Sequence, residues 1–244
     1  MKSLASDVYT IAPEKEHLKN WRLRFGAIFT GQALIIGGST VSIINFLLSD
    51  ETSNVRQKLI PEMNYTEYKQ LFDKILGNPN PAHPYDDAVY LNYTKLNRSR
   101  MNRWNKQLKL DENLVSRIKQ VTSPQHWIII TEPWCGDAAH ILPFLIRLAE
   151  QNNYITCDIK LRDSEPFLIE NYLTNGAKSI PKLIVRNENG NDLFVWGPRP
   201  KGAQELLDKM KADNADFETT KIALQNWYNN DKGMSFCREL SAYF

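Results

Sequence analysis

Three cysteines in 244 residues, an odd number at irregular spacing, describe no disulfide framework. Metal chemistry lacks its ligands as well. His17, His83, His126 and His140 are scattered, and none stands near a Cys-x-x-Cys pair, so no metal site and no cofactor is expected. An excess of charge of one sign is also missing. The formal net charge is +2, which gives no whole-chain electrostatic case for nucleic acid as a partner. The length allows one or two domains and a sizeable core.

A further absence marks the amino-terminal part. Charged residues make up 24% of the chain, yet Phe25 to Ser49 contains none. A membrane-spanning helix needs about 20 mostly apolar residues, so residues 25–48 are long enough. Gln32, Asn45, Gly37 and Gly38 dilute the stretch. Basic residues before it and Asp50-Glu51 after it would hold the amino terminus in the cytoplasm. The polar lead-in is too long for a cleaved signal peptide. The alternative is an extension upstream of the natural start, because Met63 opens ordinary globular patterning. The two readings put the protein in the cytoplasm or anchor it in the cytoplasmic membrane through residues 25–48.

From residue 63 the periodicity predicts helices. Tyr68, Leu71, Phe72, Ile75 and Leu76 share one face of a helix from Tyr65 to Leu76, which the Gly77–Pro84 loop ends. A second helix is expected from Asp86 to Leu108, with Val89, Tyr93, Leu96, Trp104 and Leu108 on its buried stripe. Lys95, Arg98, Arg100, Arg103, Lys106 and Lys109 fall on its other face, the pattern of a solvated helix surface. Asp111 caps a short helix over 112–121.

The chemistry concentrates at Trp134-Cys135-Gly136-Asp137-Ala138, between the apolar run Trp127–Ile130 and a helical pattern from His140 to Glu150. A strand feeding a cysteine at the first turn of a helix sets sulfur at the positive end of the helix dipole, where a thiolate is favoured. Downstream come a strand over Tyr154–Leu161 holding Cys157, expected to be buried and inert, and a helix over Glu165–Thr174 stopped by Asn175-Gly176. Ile180-Pro181, the strand-like Lys182–Val185, the hairpin signal Asn189-Gly190, Leu193–Trp196 and a helix from Lys201 to Lys211 follow. A last helix over Asp216–Asn229 and a tail carrying Cys237 close the chain.

In order and spacing these elements resemble the thioredoxin superfamily. Pro143 stands five residues beyond Ala138, where that family kinks its active-site helix. Pro181 occupies the place of its cis-proline, which packs against the active sulfur. The resemblance covers about residues 110–213 and implies an α/β thioredoxin-like fold, a central mixed sheet flanked by helices, with helical extensions at both ends. The expected organisation is an extension over 1–62, a helical region over 63–109, the thioredoxin-like domain over 110–213 and a helix with tail over 214–244.

The departures limit the chemistry that the resemblance implies. The family's second cysteine is replaced by Ala138, so Cys135 would act as a monothiol. The family's buried carboxylate, six residues before the cysteine, corresponds to Ile129. Asp137 replaces the motif proline and either takes part in catalysis or serves as an ordinary acidic residue of the first helical turn, worth about 0.3–1 kcal/mol there. Trp134, Gly136, Ile180 and Pro181 would shape the groove for a partner. The leading expectation is monothiol exchange with a thiol- or disulfide-bearing protein or a low-molecular-weight thiol, resolved by an external thiol or by Cys237. The rival is a redox-inactive binding module that recognises a partner through the groove beside Pro181.

Overall fold

The computed structural model describes residues 63–244. Segment 25–48 lies outside the described residues. Among those described, no helix is long and apolar enough to cross a membrane.

Four strands form one mixed sheet in the order β2-β1-β3-β4. They are β1 (Gln125–Thr131), β2 (Ile155–Leu161), β3 (Lys182–Asn187) and β4 (Asp192–Trp196). β1 runs parallel to β2 and antiparallel to β3, which pairs antiparallel with β4. β1 is apolar throughout because both its faces are covered. Trp127 and Ile129 enter the main core, whereas Ile128 and Ile130 enter a smaller cluster on the opposite face. Among the described residues, the outer edge of β2 is met by a single bridge, in which the Ile159 N–H donates to the Met63 carbonyl at 2.8 Å.

Helices precede and follow this sheet: α1 (Tyr65–Gly77), α2 (Ala88–Gln107), α3 (Glu112–Lys119), α4 (Gly136–Ala149), α5 (Lys201–Ala212), α6 (Phe217–Asp231) and α7 (Met234–Leu240). Four are capped by Asn64, Asp87, Asp111 and Asp216, each accepting a first-turn backbone N–H. Asn64 makes a full capping box with Glu67, so Asn64→Ala is expected to lower stability by about 1 kcal/mol, read from the thermal midpoint. The helices before and after the sheet share its main core. Tyr68 and Phe72 of α1, Met101 and Trp104 of α2, Tyr228 of α6 and Phe236 of α7 all join that cluster. Full burial of one such aromatic contributes about 1.5–3 kcal/mol.

Three expectations require correction. No α-helix spans 165–174: Phe167 takes φ 56, and only a short 3-10 turn, Leu168–Asn171, forms. Asn175 and Gly176, at φ 51 and φ 79, instead make a two-residue hairpin turn between Thr174 and Ala177. The buried stripe of α2 is Thr94, Asn97, Met101 and Trp104, while Val89 and Leu96 are 58% and 40% exposed. Of its polar members, Asn97 is buried over the Pro133 carbonyl, to which it donates, and the Thr94 hydroxyl donates to the Tyr90 carbonyl of its own helix. The tail forms α7, in which Cys237 is buried.

Candidate functional site

β1 ends at Thr131, the chain crosses Glu132-Pro133-Trp134, and Cys135 becomes the N-cap of α4 with extended φ −75 and ψ 115. Its side chain caps nothing, which leaves the sulfur at the helix start. The Ile180–Pro181 bond is cis, and Cys135 Sγ donates to the Ile180 carbonyl at 3.4 Å. The structure therefore brings Cys135, Ile180 and Pro181 together. Cys135 is only 7% exposed and lies in the smaller cluster with Ile128, Ile130, Ala138, Ile169 and Ile184.

Burial has an electrostatic consequence opposite to the one the helix start alone predicts. It pushes the Cys135 thiol up to about 12, and the nearby Asp137 carboxylate adds to the rise. The backbone N–H groups of Ala138 and Asp137, and the Arg199 guanidinium, oppose it without prevailing. At neutral pH the resting group is a thiol.

Trp134 is half-buried between the Arg162 guanidinium, 4.6 Å from its ring, and the edge-on ring of Tyr90 at 5.6 Å. Helix α2 covers the motif from this side. Asn97 Nδ2 donates to the Pro133 carbonyl at 3.0 Å, and Arg100 Nη1 donates to Asn97 Oδ1 at 2.8 Å. A Cβ at Gly136 would stand 3.7 Å from that same Nη1, an ordinary van der Waals contact, so the guanidinium packs against the helix start.

Asp137 is fully engaged. Its Oδ2 accepts from Arg199 Nε at 3.0 Å and Nη2 at 2.5 Å, and its Oδ1 accepts from the Tyr228 hydroxyl at 2.8 Å. Tyr228 stacks on His140 with centroids 4.5 Å apart. Trp104 Nε1 donates to His140 Nδ1 at 2.9 Å, which assigns the histidine proton to Nε2, facing Gln225 Oε1 at 3.3 Å. Burial holds the imidazole neutral, its value lowered to about 3, and the positive Arg100 acts in the same direction.

A carboxylate also stands beside the motif, though not at position 129. Glu132 is buried, its Oε1 accepting the Asp163 N–H at 3.0 Å and its Oε2 approached by the Tyr85 hydroxyl at 3.5 Å. Burial raises it to about 7. Sequence reasoning missed Glu132, Arg199 and Tyr228. The available signals were a carboxylate two residues after a four-residue apolar run and an arginine between two prolines just beyond a strand.

The other thiols lie elsewhere. Cys157 and Cys237 belong with the main core, on the sheet face opposite Cys135, and burial raises them to about 12 and about 11. Among the described residues no cluster of ligand-type side chains suits a metal ion.

No curated protein matches the chain. Two solved structures resemble it. One is a Pseudomonas aeruginosa protein of unknown function, with 16% identity over 74% of this chain and 96% of that one, and a TM-score of 0.44. The other is an HIV epitope scaffold, with 17% identity, the same coverages and a TM-score of 0.43. Residues 84–211, which include all four strands, the Cys135 motif and Pro181, match the thioredoxin family model; the chain belongs to the thioredoxin family.

Proposed function

We propose that this thioredoxin-family protein performs monothiol exchange through Cys135. The observation that carries the reading is the sulfur's position at the start of α4, 3.4 Å from the carbonyl just before Pro181, with alanine where a resolving cysteine would stand. In the forward step the Cys135 thiolate attacks one sulfur of a partner disulfide. A new S–S bond forms to Cys135, and the other sulfur leaves as a thiolate that takes up a proton. An external thiol then attacks the mixed disulfide, forms a disulfide with the partner fragment and returns Cys135 to its reduced form. The partner is a disulfide, carried by a protein or formed between a protein and a low-molecular-weight thiol.

Because the resting group is a buried thiol hydrogen-bonded to Ile180, a partner must break that bond before the sulfur ionises. Backbone of the partner lying along Ile180 and Pro181 would compete for the same carbonyl. Trp134 and Gly136 bound the groove, and Asp137 sets the charge beside the sulfur.

The same burial favours a second reading, a thioredoxin-fold binding module in which Cys135 packs and does not react. One experiment separates the two. Folded protein is incubated with a small aromatic disulfide at pH 8, and the adduct is located by peptide mass mapping. Exchange predicts one mixed disulfide on the Cys135 peptide, its absence in Cys135→Ser, and full release by added thiol. An adduct at Cys135 that forms only after unfolding would leave the binding module standing.

A further inference from the structure

We infer that Arg199 is a positioning residue for the Cys135 thiolate, holding the Asp137 carboxylate in an ion pair so that its negative charge does not suppress ionisation of the neighbouring sulfur. The inference rests on the thiol-exchange reading and deepens it.

Asp137 lies two residues beyond Cys135, in the same first turn of α4. An unpaired carboxylate there would work directly against a thiolate. The chain answers with Arg199, in the segment between β4 and α5. Two of its N–H groups donate to Asp137 Oδ2, and Nη1 donates to Gln204 Oε1 at 2.8 Å, which fixes the guanidinium plane. Both partners are 13% exposed at their side chains, so solvent screens the pair weakly. Tyr228 takes the other carboxylate oxygen.

Each element around the sulfur supplies a group with a definite state. Tyr68 of α1 and Tyr228 of α6 are buried and remain neutral. Arg162, after β2, is bound bidentately by Asp163 and covers Trp134. Glu132, at the end of β1, is held by the Asp163 N–H and Tyr85. Arg100 of α2 also interacts electrostatically with Asp137. Asp137 and Arg199 are thus the opposed charges acting most strongly on the Cys135 sulfur, one against the thiolate and one for it.

This arrangement predicts a pattern of signs. Below the thiol's own pKa, the rate of Cys135 alkylation by iodoacetamide is proportional to the thiolate fraction. Measured on the full chain at pH 8 by mass mapping, Arg199→Gln should slow it about tenfold and Asp137→Asn should speed it about tenfold. The double variant should return close to wild type, and Arg199→Lys, which keeps the charge, should stay close to it. A purely structural role gives the reverse sign for Arg199→Gln, since a loosened loop exposes the sulfur. Arg199→Gln at or above the wild-type rate, or a double variant as slow as Arg199→Gln alone, would overturn the inference.

Circular dichroism verifies folding. Should Arg199→Gln not fold, the inference is decided by Asp137→Asn, which must accelerate the reaction. The disulfide test is independent of these rates. A protein that alkylates with these signs yet accepts no disulfide keeps the role of Arg199 and loses the exchange reading.

Discussion

Gly197→Ala should cost about 3 kcal/mol or more of stability and disturb the thiol at the same time. Gly197 closes β4 at φ 116, a conformation that L side chains rarely adopt. Space is as limiting as the dihedral. A Cβ there would overlap the Pro181 carbonyl oxygen and stand 3.3 Å from its carbonyl carbon and 3.4 Å from Lys182 Cα. All three are backbone atoms of the strand start that carries Ile180, so no side-chain rotation relieves them. Accommodation has to move Pro181, and with it the carbonyl that Cys135 donates to. Urea unfolding measures the loss, and alkylation of native Cys135 should accelerate as its cover loosens. A stability change below about 1 kcal/mol would show that this loop shifts freely, contrary to the packing described here.

The second large effect is a pH dependence that two buried groups conceal from each other. Glu132 is raised by burial from 4.5 to about 7, so its stabilising contribution is complete below 4.5 and is lost as pH rises through 7. His140 is lowered by burial from 6.5 to about 3, so its contribution is present above 6.5 and is lost as pH falls towards 3. Between 4.5 and 6.5 the folded chain binds a proton at Glu132 that the unfolded chain does not, and the unfolded chain binds one at His140 that the folded chain does not. The two slopes cancel. Glu132→Gln keeps an oxygen acceptor for the Asp163 N–H but removes the titration, which leaves His140 unopposed. Relative to wild type, this variant should lose about 2 kcal/mol on going from pH 6.5 to 4.5. Other titrating groups cancel in the comparison, and parallel stability curves for the two proteins would refute it.

Local chemistry made much of this architecture readable. Ile128–Ile130 forms a strand because a run of β-branched residues buried on both faces has few alternatives, and Asp111 caps a helix because its carboxylate reaches the Leu114 N–H. The pairing of Cys135 with Ile180 and Pro181 followed from the family resemblance. What escaped was what tertiary contacts decide. Hydropathy assigns Thr94 and Asn97 to the outside of α2, yet Asn97 is buried because the Pro133 carbonyl needs a donor. Leu168, Ile169 and Tyr172 have helical spacing, but they are drawn flat over the cluster beneath Cys135, and Phe167 in the left-handed region ends any helix there. The partner of Asp137 lies 62 residues away, beyond any local pattern.

The sheet itself separates Cys135 from Cys157 and Cys237, which pack on its opposite face. Any adduct on Cys135 therefore has no resident sulfur to displace it, and its lifetime is governed by reagents in the surroundings. On the thiol-exchange reading, the persistence of such an adduct should scale inversely with the ambient concentration of free thiols, as a chemical clock set by its surroundings would.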